Sequence, residues 1–468
     1  MTLKKSIYSV MSIPFLLATP YLFANPINNV DITLEQITKD VTYLASDTLK
    51  GRANYSTDLE KAANYIAERF KSNGLIPLTA KSASDHNSFL QSYSIKQYVV
   101  NDINININNI DVDKANVAMV STSPTTKWRF DKSTSERPNV KFHTIAKEDD
   151  FRQVIRKINA TGGHHFVAVS TVHKDIFTRY QAYFSRGITK LSIDQKGDNV
   201  QGGTIVMLVT DQEIDQNTLS VSATTNIEQK QLNNVVGVLP GSTHAEEVVL
   251  YSAHYDHLGV KSDSKDSDII YNGADDDASG TSAVINLAEY FAKKGQNKRT
   301  LMFVAFSAEE IGGFGSQYFS KQLNPDTITA MINIEMIGKP SKFGSGSLWM
   351  TGIERSTLGE LMNKELQPYN MKVHADPYPK QGLFYRSDNA TLARQGVPAH
   401  SFSSTQLDKD QHYHNVSDNI ASLDLKSMHK VIQSLAIATQ PLVDAKITPS
   451  RIDKNTIKNK KYEKYKKY

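Results

Sequence analysis

The apolar positions of the chain change rhythm twice. From Thr33 to Asp47 and again from Asp58 to Asn73 they recur at helical spacing: Ala62, Ile66 and Phe70 share one face, and Gly74 supplies a stop. Between about Gln97 and Glu228 the pattern is strand-like. Ile and Asn alternate through Asn101–Asp113, and the short apolar runs His165–Ser170 and Thr204–Thr210 follow. This stretch reads as an inserted, strand-rich domain. His164 and His165 follow two glycines without an acidic residue at ligand spacing, so they are expected in a loop rather than a metal site.

After Leu232 strand and helix alternate. Val248–Ala253, Thr300–Ser307, Ile328–Met336 and Val397–Ser403 read as buried strands. Ser279–Lys294, Gly315–Leu323, Ser356–Leu366 and Asp424–Thr439 read as helices. Such alternation predicts an α/β fold with a mixed, mainly parallel sheet sandwiched by helices. Ligands of such sheets gather beyond the carboxyl ends of the strands. The chain shows neither an internal repeat nor a glycine-rich phosphate loop.

The expected organisation is a signal peptide over 1–24, a first part of the main domain over 25–96, the insert over 97–228, the main α/β domain over 229–446 and a basic tail over 447–468. The leader follows from Lys4 and Lys5, the apolar run Ile7–Ala24 broken by Pro14 and Pro20, and the polar segment Asn25–Asn29. It implies export to a periplasm or the medium. No other stretch is long and apolar enough to span a bilayer, so a mature form without a membrane span is expected. From Lys454 to Tyr468 the chain is rich in Lys and Tyr and lacks apolar periodicity, which reads as a solvated end.

The 468 residues carry a formal net charge of only +4, much of it in that tail, and this disfavours a nucleic-acid partner. Cysteine is absent, which removes disulfides, thiolate metal sites and a cysteine nucleophile.

Each predicted strand end delivers acidic or imidazole side chains: Ala253–Gly259 (AHYDHLG), the loop Gly273–Gly280 (GADDDASG), Ser307–Glu310 (SAEE), Asn333–Gly338 (NIEMIG) and Gln411–Asn419 (QHYHNVSDN). Two histidines and three carboxylates suit zinc, with cobalt or manganese as chemical alternatives. One such site needs only three protein ligands and a water. Five candidates therefore imply two metals sharing a carboxylate, for which we take Asp276. One ion would use His254 and Glu335, the other Glu310 and His414. From spacing alone His257 or His412 would serve equally well as imidazole donors. Glu309, left over beside a ligand, suits a general base. Asp256 would fix the His254 tautomer from behind, and Tyr413 would donate its hydroxyl to a developing oxyanion.

At these motifs the sequence resembles the M28 family of zinc peptidases, which includes bacterial leucyl-type aminopeptidases and glutamate carboxypeptidases. The likeness rests on AHYDHLG, GADDDASG, FSAEEIGGFGS, NIEMIG and YHNVSDN, in that order. Tyr43–Arg52 (YLASDTLKGR) also looks like the family's N-terminal part, and by position the insert would correspond to a protease-associated domain. The resemblance implies His254, Asp276, Glu310, Glu335 and His414 as ligands of two Zn2+ ions, Asp276 bridging, with Glu309 as base and Asp256 orienting. It implies peptides as substrates. Two residues depart from the family pattern: Glu335 stands where Asp is usual, and Asn389 where a His follows Ser387 and Asp388. The leading expectation is an aminopeptidase. The alternatives are a carboxypeptidase or dipeptidase, with Arg386 as the cationic candidate for a free carboxylate, a single-zinc glutaminyl cyclase, and a binding protein that kept the fold.

Overall fold

The computed structural model describes residues 30–79, 89–130, 139–192, 203–211, 218–261 and 268–457. The expected signal peptide and the last residues of the tail, 458–468, lie outside them.

The main sheet is built around four adjacent parallel strands in the order Ala399–Ser403, Ile328–Ile334, His244–His254, Arg299–Phe306. Leu219–Leu239 then pairs antiparallel with Arg299–Phe306, and Leu90–Ile107 pairs with it in turn. At the other edge Leu348–Met350 runs antiparallel to Ala399–Ser403 and parallel to Val373–Ala375. A largely parallel sheet needs both faces covered, which is why its strands read as unbroken apolar runs; Arg299–Phe306 and Ile328–Ile334 are buried throughout.

Alternation along each strand divides the core in two. Val249, Tyr251 and Ala253, with Leu301, Phe303, Ala305, Ala330 and Ile332, face a core covered by the helices Leu34–Leu44, Thr57–Ser72, Gly280–Lys294 and Leu425–Val443. Val248, Leu250, Met302, Val304, Phe306 and Met331 face the opposite layer, closed by Phe319, Leu392, Val397, Ile452 and Ile457.

The next two strands of this sheet in sequence, Arg299–Phe306 and Ile328–Ile334, pair on opposite sides of His244–His254. The direction of winding therefore reverses at this strand, and the flanking connections diverge above its carboxyl end, leaving a crevice at His254.

Leu90–Ile107 and Leu219–Leu239 form a long ribbon, in register from Leu90 opposite Val235 to Ile107 opposite Leu219, with one irregularity at Thr224 and Thr225. Its far end packs on a separate four-stranded sheet ordered Val117–Ser121, Thr204–Val209, His164–Val169, Val140–Ile145. Ile105, Trp128, Leu219 and Val221 cover one face of that sheet. The other is covered by two helices, Phe151–Thr161 and Lys174–Phe184. These helices were not anticipated in a strand-rich insert, although Asp150 caps the first and Phe151, Ile155 and Ile158 lie at helical spacing.

Two further expectations are corrected. His164 and His165 lie on a strand, not in a loop. The His165 ring is buried between His143 Nε2, 2.9 Å from its Nδ1, and the Gly162 carbonyl, 2.8 Å from its Nε2. Residues 447–457, expected as the start of a solvated tail, pack on the domain: Ile452 and Ile457 are buried, and Arg299 donates to the Ile447 carbonyl at 2.6 Å. Among the described residues no helix is long and apolar enough to cross a membrane.

Arg52 joins the N-terminal segment to the crevice. Fully buried, it donates to the carbonyls of Leu44, Tyr255 (2.8 Å), Asn272 (2.6 Å) and Gly273 (3.0 Å). Burial lowers its pKa to about 10, with Asp256 and Asp276 acting in the other direction. Arg52→Met would strand these acceptors without a donor, and a loss of about 3 kcal/mol or more is expected. Urea denaturation checks this; a midpoint shift within error would mean that the loop 272–279 does not depend on Arg52.

Candidate metal centre

The loop carrying three consecutive aspartates gives each a different task. Asp277 turns back into the fold: Oδ1 accepts from the backbone N–H groups of Gly280 and Met336, both at 3.0 Å. Asp275 accepts from Gly338 N–H at 2.8 Å and from the Thr405 hydroxyl at 2.7 Å. Asp418 in turn accepts from the N–H groups of Asp275 and Asp276, both at 3.1 Å. With its backbone so held, the Asp276 side chain is aimed at the imidazoles. Oδ1 lies 3.1 Å from His254 Nε2, and Oδ2 lies 3.1 Å from His414 Nε2.

Two donor sets share this carboxylate. His254 Nε2 is also 3.3 Å from Glu335 Oε1, and His414 Nε2 is 3.3 Å from Glu310 Oε2. Donors set tetrahedrally around zinc at its usual bond lengths stand about 3.3 Å apart. The spacing on both sides of Asp276 therefore fits a pair of such ions. Asp276 with His254 and Glu335, and Asp276 with His257 and Glu310, are each close enough to hold an ion.

The carboxylates divide by protonation. Burial opposes ionisation of Asp276, yet hydrogen bonding to His254 and His414 holds its pKa well below the ordinary range. Glu310 is lowered to about 2 by His257 and His414, against burial and the charge of Asp276. Burial first, and then the charges of Glu335, Asp388 and Glu310, raise Glu309 well above the usual value. Asp388, buried beside Glu335, is pushed up to about 7.

Of the residues expected from sequence, His254, Asp276, Glu310, Glu335 and His414 are brought together, with Glu309 beside them. His412 is not: its Nδ1 meets the Ser417 hydroxyl at 2.9 Å. Asp256 acts differently from expectation. Its carboxylate accepts from the backbone N–H groups of Glu309 and Glu310, at 3.1 and 3.2 Å, and from Asn54 Nδ2 at 2.7 Å. The His254 Nδ1 is met by the main-chain oxygen of Asp256 at 3.1 Å, while the carboxylate stands 3.8 Å away. Asp256 thus orients the turn that carries Glu309, and only its carbonyl fixes the imidazole. The Tyr413 ring stacks on His414, centroids 4.0 Å apart. Desolvation and the charges of Asp276 and Glu310 raise its pKa well above the usual value, with Arg386 opposing, so the hydroxyl keeps its proton.

The profile of peptidase family M28 matches residues 234–439. The segment 234–439, which carries every candidate donor of the site, is thus assigned to peptidase family M28. Among curated relatives, the chain is 36% identical over 109 residues to a probable zinc metalloprotease of Pyrenophora tritici-repentis, covering 23% of this chain and 22% of that protein. It is 26% identical over 210 residues to leucine aminopeptidase 1 of Neurospora crassa, covering 42% and 50%. The match therefore spans half or less of these two relatives. In fold it is similar to the aminopeptidase from Aneurinibacillus sp. strain AM-1 (TM-score 0.51, 16% identity, 88% of this chain and 94% of that one) and to a zinc aminopeptidase from Bacillus subtilis (TM-score 0.52, 12% identity, 89% and 97%).

The residues that sequence reading missed in this cluster are supports. Ser387 donates to Glu335 Oε2 at 2.5 Å and accepts from Asn333 Nδ2 at 2.8 Å, so the longer side chain at position 335 is held at both ends. Lys339 lies among Asp410 (2.9 Å), Asp275 (3.4 Å) and Asp418 (3.7 Å). No spacing rule links these residues; only the convergence of strand ends does.

Asp276→Ala is expected to remove metal from both donor sets, whereas His414→Ala should remove it from one. Metal analysis of the dialysed variants checks this, and an Asp276→Ala protein that retains a full complement would refute the shared carboxylate.

Proposed function

We propose that the chain is an exported two-zinc aminopeptidase that hydrolyses the N-terminal peptide bond of peptides. The observation that carries this is the pair of donor sets meeting on the two oxygens of Asp276, with the buried acid Glu309 one residue from a donor. The carboxylate and imidazole donors suit zinc, and the likeness to a zinc metalloprotease and to a zinc aminopeptidase supports the same metal. Export rests on the pattern of the first residues.

Zinc ions held here would polarise the scissile carbonyl and make a water acidic enough to attack it. The remaining work falls to side chains. Glu309 accepts the proton of the attacking water as the new C–O bond forms, then delivers it to the peptide nitrogen as the C–N bond breaks. Burial gives it a higher proton affinity than Glu310, and the positive charge of zinc held beside it would favour the ionised form that can accept a proton. Asp256 holds the backbone of both glutamates, so acid and ligand cannot exchange places. The protonated Tyr413 is a donor for charge developing on the carbonyl oxygen.

A carboxypeptidase or dipeptidase reading is favoured by one feature, the proximity of Arg386 to Tyr413, which would suit a free carboxylate. The single-zinc cyclase reading fits less well, because both donor sets are complete.

Glu309→Gln should bind zinc normally and lose about 10²–10⁴-fold in kcat. Near-normal turnover would remove Glu309 from the mechanism. Metal analysis of the wild-type protein, together with matched free-amine and amino-blocked peptides, separates the readings: about two zincs with cleavage of free-amine substrates alone supports the aminopeptidase. Activity on blocked substrates alone favours the carboxypeptidase.

A further inference from the structure

His257 belongs to neither donor set as the sequence assigns them, yet its environment is unusual. The side chain is fully buried, and neither ring nitrogen has a hydrogen-bond partner. Nδ1 lies 2.9 Å from Glu310 Oε1, itself buried and without a hydrogen-bond partner, and 4.0 Å from Asp276 Oδ2. Facing each other at ion-pair distance without hydrogen-bond alignment, these two buried groups are arranged as donors to a common ion, and with Asp276 they lie close enough to hold one. The ring is also seated deliberately. Gly273, at φ +57°, leaves room for it, since a Cβ there would stand 2.6 Å from His257 Cγ and Cδ2. The backbone N–H of His257 is fixed by the Arg52 carbonyl at 3.1 Å.

We propose that His257 is a third imidazole of the metal centre, presenting Nδ1 to the ion on the Oδ2 side of Asp276. Glu310 would serve that ion with both oxygens, Oε1 beside His257 and Oε2 beside His414. This rests on the two-zinc reading and makes its halves unequal. The Oδ2 side gains a fourth protein side chain: Asp276, Glu310, His414 and His257. The Oδ1 side keeps three, namely His254, Asp276 and Glu335. Zinc enclosed by four side chains is characteristic of structural sites, and three leave a position for water.

Zinc-edge X-ray absorption on the fully loaded full-length protein counts imidazoles directly. Three imidazoles over two ions give an average of about 1.5 per zinc, and His257→Gln should lower it to about 1.0. In a chelator competition the same variant should release one of its two zincs about 10–100-fold more readily. A wild-type average of about 1.0 with two zincs bound would overturn the proposal, because an imidazole that merely hydrogen-bonds Glu310 leaves the count unchanged. One zinc per chain would sink the two-zinc reading instead. His257 would then be judged by whether the count on that single ion drops in His257→Gln. Should that variant fold poorly, as far-UV circular dichroism would reveal, His257→Asn replaces it under the same criteria.

Discussion

Carboxylate charge crowded into one end of a parallel sheet is the constraint around which this molecule is organised. Asp256, Asp275, Asp276, Asp277, Glu309, Asp388 and Asp418 are all buried there. Water cannot screen them, and like charges at this density cannot all remain ionised. Part of the relief comes from fixed cations, Arg52 below the loop and Lys339 beside it. Part comes from backbone N–H groups aimed at Asp256, Asp275, Asp277 and Asp418. The rest is a division into acids that stay charged against imidazoles, Asp276 and Glu310, and acids driven toward the neutral form, Asp277, Glu309 and Asp388. That division separates ligand from base within the Glu309–Glu310 pair.

The topology explains why such an expensive arrangement can be assembled. Because winding reverses at His244–His254, the loops that follow His254, Phe306 and Ile334 converge from both sides on one crevice. Each is then tied to the next by a side chain that has no chemical role of its own. Asp277 ties the aspartate loop to Met336, Asp256 ties the first strand end to the Glu309–Glu310 turn, and Asp418 ties the His414 segment back to Asp276. The carboxylates are thus both the difficulty and the fastening.

Much of this was legible in the sequence, and the reason is physical. A buried parallel strand must be apolar throughout and must end where ligands gather, so Val248–Ala253 and Thr300–Ser307 announced the fold and the sheet end at which acidic and imidazole side chains converge. Alternation gave the ribbon through Asn101–Asp113. The failures have equally definite causes. His257 and His414 could not be ranked by spacing, because the donor chosen depends on which loop folds over Asp276. The role of Asp256 was misjudged because period-two geometry places its side chain near His254 but cannot foresee two N–H groups arriving from Glu309 and Glu310. Ile452 and Ile457 were lost in a segment whose composition is dominated by lysine, although two anchors suffice to dock it. The helices of the small sheet were masked by the stronger strand signal on either side.

The ribbon of Leu90–Ile107 and Leu219–Leu239 is anchored at its base to the machinery of the crevice: the Tyr93 hydroxyl meets Ser307, and the Tyr255 hydroxyl donates to the Asn233 carbonyl at 2.6 Å. Above that base its two strands are antiparallel partners along their whole length, so the chain leaves and re-enters the peptidase core at adjacent points. Any cross-strand pair beyond Tyr98 and Ile227 is a place where a tight turn could close the chain without moving a residue beneath it. The small sheet is therefore a modular graft. Its size and surface can change without displacing the sheet end where the donors meet.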